Sequence, residues 1–244
     1  MFSLVIDQGN TLAKVYLFDQ DECVAQFSTE NLTLKELGLF LVYKKFDAAI
    51  IAGVKAIDEE IIHFIGNMCR TIVLNADTEL PIQNAYESPA TLGSDRLAAA
   101  CGAAKLFPNT PCLSIDAGTC ITYDFIDETQ HYLGGAISPG LQMRAKALHT
   151  FTAQLPLIHF EKFEANFIGQ NTQQSLSNGV GFGLVHEING FIESYQKKYP
   201  TLQVIACGGD AALLFPHLKN NIFVEPNLVA IGLLAILNHH VQKN

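Results

Sequence analysis

Basic residues are scarce: 15 lysines and arginines stand against 24 acids, a formal charge of −9 over 244 residues. They are spread thinly, with no stripe or cluster able to neutralise a phosphate backbone, which excludes nucleic acid as a partner. Long hydrophobic runs are missing too. The longest, such as LVAIGLLAIL at 228–237, reach about half of the ~20 residues a spanning helix needs, so no membrane partner is expected. Asp7 interrupts the first apolar stretch and no basic residue precedes it, so no secretory signal is read and the expected compartment is the cytoplasm. No C-x-x-C pair occurs, and Cys23, Cys69, Cys101, Cys112, Cys120 and Cys207 read as reduced core residues. No H-E-x-x-H points to zinc, and no G-x-x-x-x-G-K-[ST] supplies the commonest phosphate loop. GVGFG at 179–183 lies inside a helical pattern instead of after a strand, so it fails the dinucleotide test. Gly179, Gly181 and Gly183 read there as permitting close packing, in preference to the alternative of ligand approach.

What is present is enough apolar residue, 49%, to fill one large domain or two ordinary ones. Short β-branched runs at 3–7, 13–18, 22–28, 48–52 and 71–74 predict strands, with helical patterns between the later ones. LFPNTPC at 106–112 breaks an Ala-rich helix. Strands then start again near 112–116, 119–126 and 131–137. The chain therefore reads as two halves, 1–110 and 111–244. In the second, Leu176, Val180, Leu184, Ile188, Phe191 and Tyr195 follow helical spacing, as do Leu141, Ala145, Leu148 and Leu155. A strand is expected within 202–209, and Asn227 is placed to cap a final helix.

The halves echo each other. VIDQGNTLAKVYLF (5–18) and SIDAGTCITYDF (114–125) each give an apolar strand, an Asp, a spacer, a Gly, a small polar residue and a second strand. An offset of 109 carries Asp7 to Asp116, Gly9 to Gly118, Thr11 to Cys120 and Tyr16 to Phe125. This suggests a duplicated α/β fold with similar halves. A carboxylate ending a buried strand needs a partner, a hydrogen bond or a cation. A glycine two residues on allows a tight turn and close ligand approach, while Asn10, Thr11 and Thr119 add short polar groups beside free backbone N–H donors. One D-x-G is an ordinary hairpin turn; two in matching contexts point to a pair of phosphate cradles. Lys14 can add positive charge to the same anion, with the acids reaching metal ions.

A second constellation is NAYESPATLGSDRLAAACGAAKLF (84–107), a polar loop running into the Ala-rich helix. Gly93 marks the junction, and Asp95 and Arg96 lie near the helix N-terminus. In a chain with two phosphate turns, Asp95 is a candidate base for an acceptor hydroxyl and Arg96 a clamp for an anionic substrate. Alone, the same pair could equally complement the helix dipole and a surface charge.

DQGNTLAK, GSDR with Tyr86 seven residues before its glycine, DAGTCITYD, GGAISPG, GQNTQQSLSNG and ACGGD, in this order, resemble type III pantothenate kinase. That family belongs to the acetate and sugar kinase, heat-shock chaperone and actin superfamily. The resemblance implies two actin-like (ribonuclease H-like) halves with a nucleotide cleft between them, the second half carrying dimerisation helices and an adenosine-side Gly-Gly loop at Gly208 and Gly209. It also implies that Asp7, Gln8, Gly9, Asn10, Thr11, Leu12, Ala13 and Lys14 hold ATP phosphates, with Thr119 contacting them from the second turn. Asp116 would carry a monovalent cation, K⁺ or NH₄⁺, and Mg²⁺ would accompany ATP. Asp95 would accept the proton of the primary hydroxyl of pantothenate, while Tyr86, Gly93, Ser94, Arg96 and Thr172 shape its site. The implied product is 4′-phosphopantothenate, the first intermediate toward coenzyme A, and the implied assembly a homodimer with the pantothenate pocket close to the subunit interface. Gln8 and Cys120 depart from the family pattern without removing a polar group the chemistry requires. Two alternatives stay open: a related kinase acting on a sugar or small acid, and a nucleotide-driven regulatory protein. The second is disfavoured because a switch needs no base for an acceptor hydroxyl.

Overall fold

The computed structural model describes residues 1–54, 57–160, 167–219 and 221–242. The chain begins with β1 (Phe2–Gln8), β2 (Ala13–Asp19), β3 (Glu22–Thr29), α1 (Leu34–Leu41), β4 (Ala48–Gly53), α2 (Glu59–Gly66), β5 (Arg70–Val73), β6 (Gln83–Asn84) and α3 (Ser94–Leu106). It continues with β7 (Cys112–Ala117), β8 (Cys120–Ile126), β9 (His131–Pro139), α4 (Leu141–Thr150), α5 (Thr172–Lys198), β10 (Gln203–Cys207), α6 (Ala211–Leu214), β11 (Phe223–Val224) and α7 (Leu228–Gln242). Two compact units result. One comprises Met1–Pro108, Thr129–Leu133 and Asn227–Asn244, and the other Asn109–Glu128 and Gly134–Pro226.

In the first unit the sheet order is β3-β2-β1-β4-β5. β1 pairs antiparallel with β2 and parallel with β4, and β4 pairs parallel with β5. The central residues Leu4, Val5, Ile6 and Ala49, Ile50, Ile51 are fully buried, as expected of strands covered on both faces. On one face α1 and α2 deliver Leu37, Leu41, Ile61 and Ile65 to a core with Leu4, Ile6, Val15 and Ile51. α1 starts with a capping box: the Glu36 N–H donates to Thr33 Oγ1 at 3.2 Å and the Thr33 N–H to Glu36 Oε2 at 3.0 Å. α7 packs on β1 and β4 and against α3. The α3–α7 crossing is a backbone contact. A Cβ on Gly232 would lie 1.7 Å from the Ala98 carbonyl oxygen, and one on Gly102 2.5 Å from that of Leu228. α3 is consequently buried almost all round, which is why its sequence is alanine-rich instead of striped.

The second unit repeats the plan. Its strands run β9-β8-β7-β10-β11, with β7–β8 antiparallel and β7–β10–β11 parallel. α5 supplies Val180, Leu184, Ile188 and Ile192 to a core with Leu113, Ile115, Tyr123 and Val204. Phe191 stacks on Tyr123 with ring centroids 4.1 Å apart. β6 extends the edge at the first residues of β9, pairing Gln83 with His131 and Asn84 with Tyr132. Among the described residues no helix is long and apolar enough to cross a membrane; the 228–237 run is the buried body of α7.

Several sequence expectations need correction. A single offset does not hold through the repeat. Asp7 faces Lys14 and Asp116 faces Thr122, so the first strands differ by 109 and the second strands by 108. The second turn is one residue shorter. The Gly9 N–H donates to the Leu12 carbonyl and the Gly118 N–H to the Cys120 carbonyl, both at 3.0 Å, which makes Cys120 the counterpart of Leu12 and Thr119 that of Thr11. Tyr16 then matches Asp124, not Phe125. Leu155 is not on the helix of Leu141 and Ala145, because α4 ends at Thr150; it packs against that helix from the following segment. Outside its own helix, a Cβ on Gly179 or Gly183 would meet nothing within 4 Å among the described residues, so neither serves close packing there. None of the six cysteines is in a disulfide, but only Cys101, Cys112 and Cys207 are core residues; Cys23, Cys69 and Cys120 are half-buried. Burial pushes the Cys112 thiol up to about 12 and Cys101 higher still.

Candidate active site

Three groups of predicted residues occupy three local structures. The first is the β1–β2 hairpin. Asp7 and Gln8 end β1, Ala13 and Lys14 open β2, and Gly9, Asn10, Thr11 and Leu12 form the turn closed by the Gly9 to Leu12 hydrogen bond. Asn10, Thr11 and Leu12 are exposed, while Ala13 is buried and anchors the turn. Asp7 and Lys14 are directly opposite in the register, so a carboxylate and an ammonium share one face of the hairpin.

The second is the β7–β8 hairpin in the other unit. Asp116 is half-buried beneath the turn, and Thr119 is exposed at its tip. Here the residue opposite the acid is Thr122, not a lysine. Two other segments converge on this turn. A Cβ on Gly140 would lie 2.3 Å from the Gly118 carbonyl oxygen and 2.4 Å from that of Thr119, and the Gly140 N–H donates to the latter at 3.2 Å. Gly208, at φ +99°, brings its backbone to Ala117, where a Cβ would lie 2.3 Å from the carbonyl oxygen. The Asp210 N–H donates to that same oxygen at 2.9 Å, and burial raises the Asp210 carboxyl above the ordinary aspartate range. The turn is thus shelved by bare backbone from residues 140 and 208. The sequence reading put the Gly208–Gly209 loop on the adenosine side and assigned no role to Gly140 or Asp210; nothing local says that two distant glycines, Gly140 and Gly208, meet one turn.

The third lies in the first unit at the start of α3. Gly93 occupies the N-cap position with φ −60°, so no unusual backbone angle explains it. The explanation is Asp95: its Oδ1 turns back to accept the Arg96 N–H at 2.8 Å and fills the space where a side chain on residue 93 would project, 2.5 Å from such a Cβ. A Gly-Ser-Asp sequence is therefore needed to fold this carboxylate over the helix entrance. Arg96 is buried, and its guanidinium sits 5.8 Å from the centre of the Tyr86 ring. Tyr86 in turn packs 6.0 Å from Tyr132. Its loop is anchored by the Ala85 N–H donating to the Tyr132 carbonyl and the Tyr86 N–H to Asn84 Oδ1, both at 3.0 Å. Tyr86, Gly93, Ser94, Asp95 and Arg96 thus form one cluster on a buried helix. Thr172, the first residue of α5 after its cap Asn171, is exposed and belongs to the second unit. Among the described residues no group of three or more His, Cys, Asp or Glu is placed to hold a metal ion.

With this geometry in place, similarity to known proteins is informative. The chain superposes on a Campylobacter jejuni protein named as a Baf family transcriptional activator, with TM-score 0.64 and 22% identity, covering 98% of this chain and 99% of that one. It also superposes on a ROK family glucokinase from Streptomyces griseus in complex with glucose and AMPPNP, with TM-score 0.57 and 11% identity over 99% and 100% of the two chains. At such identities these structures speak for the fold alone, two units each built on a mixed sheet. Sequence similarity is more specific. A family model described as Type III pantothenate kinase matches residues 3–194. The Type III pantothenate kinase of Bacteroides fragilis (strain YCH46) is 43% identical over 241 residues, 98% of each chain. The chain belongs to the type III pantothenate kinase family and is an enzyme, a phosphotransferase.

Proposed function

We propose that the protein transfers the γ-phosphoryl group of ATP to the primary hydroxyl of pantothenate, giving 4′-phosphopantothenate, the first step of coenzyme A biosynthesis. The observation that carries this reading is the Asp95 carboxylate fixed at the entrance of a buried helix, beside Arg96 and Tyr86. One oxygen is oriented by the Arg96 N–H, and the other is available to take the proton of an attacking alcohol. Arg96 provides a planar cation suited to the substrate carboxylate, and its burial against Tyr86 limits its rotamers. Ser94 and Thr172 are assigned to the same substrate by family resemblance. ATP consumption assayed with pantothenate and with a panel of sugars tests the proposal; turnover with a sugar alone would favour the related-kinase reading.

The nucleotide is assigned to the two hairpins, one from each half. Exposed turn residues Asn10, Thr11 and Thr119 present hydroxyl, amide and backbone N–H donors, and Lys14 supplies positive charge to the β and γ phosphates. The structural equivalence of Thr11 and Thr119 supports a shared role in this contact. Mg²⁺ would accompany ATP, where it neutralises developing phosphate charge. Asp116 is the proposed ligand of a monovalent cation, K⁺ or NH₄⁺. The support is its place near the end of β7, half-buried beside the turn that carries Thr119. Asp116→Ala is expected to lower the activation by potassium several-fold; an unchanged potassium titration curve removes the role.

We assign the protein to the cytoplasm, which six cysteines outside any disulfide suit, and to a homodimer. The second unit exposes Ile137 on β9, Met143 and Leu148 on α4, and the neighbouring Phe151 and Phe167, with Phe151 84% accessible. That much exposed apolar side chain calls for cover. Light scattering is expected to give twice the 26.7 kDa chain mass. Phe151→Asp is expected to shift the mass toward one chain, and a monomeric wild type would refute the assembly.

A further inference from the structure

The second hairpin is shelved by Gly140, and Gly140 is itself held by a charged bridge that the family motifs do not include. Arg144, one turn into α4, donates from Nε to the Pro139 carbonyl at 2.8 Å and from Nη2 to Ser138 Oγ at 2.5 Å. The same Nη2 donates to Glu187 Oε2 on α5 at 2.6 Å. The other Glu187 oxygen accepts the hydroxyl of Tyr123, a fully buried β8 residue, at 3.1 Å. Burial and the Glu187 charge both raise the Tyr123 phenol, so it stays protonated and donates. The Arg144 N–H closes the path by donating to the Gly140 carbonyl at 3.0 Å. One guanidinium therefore ties the end of β9 to α5, and the peptide it grips abuts the Gly118 and Thr119 carbonyls. The Arg144 and Glu187 side chains are 23% and 26% accessible, burial enough to limit solvent screening.

We propose that Arg144 and Glu187 are positioning residues for ATP: through Ser138, Pro139 and Gly140 they fix the backbone of the Gly118–Thr119 turn in the geometry that receives phosphate oxygens. This rests on the reading of the second hairpin as a phosphate cradle. A planar guanidinium with divergent donors can hold the carbonyl, the hydroxyl and the carboxylate together, and an ammonium cannot reproduce that fork. Without the bridge, Gly140 retains its close fit to the turn but loses the tether that sets its position. Phosphate affinity then falls, while the Tyr86–Arg96 cluster in the other unit is untouched.

The test is steady-state kinetics and fluorescent-nucleotide binding on the full chain carrying Arg144→Gln, Arg144→Lys or Glu187→Gln. For Arg144→Gln, KM for ATP and the nucleotide Kd are expected to rise about tenfold, with KM for pantothenate within twofold of wild type. Arg144→Lys is expected to recover little of the loss, and Glu187→Gln to show a smaller rise of the same sign. A merely structural pair would lower thermal stability and the active fraction and leave both Michaelis constants in place, and that result overturns the proposal. If Arg144→Gln does not fold, Glu187→Gln decides: an ATP-selective rise supports the role, and an unchanged KM for ATP rejects it. A wild-type protein that fails to bind nucleotide or to phosphorylate pantothenate instead removes the reading underneath, which separates the two failures.

Discussion

Asp95→Asn is expected to reduce pantothenate phosphorylation by about a hundred- to ten-thousand-fold, the range a positioned general base contributes. Binding of ATP should change little, because the proposed phosphate contacts lie on the two hairpins and not on α3. Asparagine is close in shape and keeps an oxygen for the Arg96 N–H, so the local fold at 2.8 Å is preserved while proton acceptance is lost. Product formation followed by ADP release, together with calorimetric ATP binding, measures both halves of the expectation. Turnover near wild type in Asp95→Asn would reject Asp95 as the base. A parallel loss of ATP binding would show that α3 carries more than the acceptor. The outcome also bears on Gly93: since the Asp95 carboxylate occupies the space beside it, Gly93→Ala should misplace the base and lower turnover without changing its chemistry.

The largest expected loss of stability comes from Gly232→Ala. Its methyl group would sit 1.7 Å from the Ala98 carbonyl oxygen and close to the Gly102 backbone nitrogen, at 2.8 Å for the ideal position. Helix α3 and helix α7 must move apart to accept it. Overpacking of this kind costs roughly 3 kcal/mol, and more where backbone meets backbone. The urea midpoint of Gly232→Ala should fall accordingly, whereas Gly38→Ala on α1 is the matched control. Outside its own helix and chain neighbours, no atom of the described residues lies within 4 Å of a Cβ at Gly38, so that change should be neutral or stabilising by up to about 1 kcal/mol. A midpoint for Gly232→Ala equal to wild type would contradict the close crossing. The crossing matters for function because α3 carries Asp95 and Arg96 at its start: displacing the helix displaces the proposed base.

Much of the fold was legible in the strands. Apolar runs with β-branched residues located β1 to β4 within a residue or so: β1, β2 and β4 are buried on both faces and spelled by continuous hydrophobicity, whereas the edge strand β3 alternates exposed and half-buried residues. The duplication was legible as well, and it reappears as the same sheet order in both units. What failed was the residue-by-residue match beyond the turn. A turn shortened by one residue leaves the apolar pattern intact but shifts every later partner, and only the ladder of hydrogen bonds reveals which threonine corresponds to which. β6, two residues long, left no periodic signal and was found only through its pairing with β9. In the candidate site, GSDR could be read as a helix entrance, yet the reason for its glycine could not. Gly93 has an ordinary φ, and its need arises from where the Asp95 carboxylate folds.

By itself, the sequence determined the strand and helix segments, the repeated acid-glycine turns, the Asp95–Arg96 helix entrance and the family. These are properties of neighbouring residues, and local sterics and hydrophobic spacing encode them directly. Only the tertiary structure decided that Gly140 and Gly208 shelve the second turn, that Arg144 bridges β9 to α5, and that α7 returns to pack its glycine on α3 in the first unit. Those contacts join residues far apart along the chain. Their energy depends on ångström-scale complementarity between backbones, which no single stretch of sequence specifies.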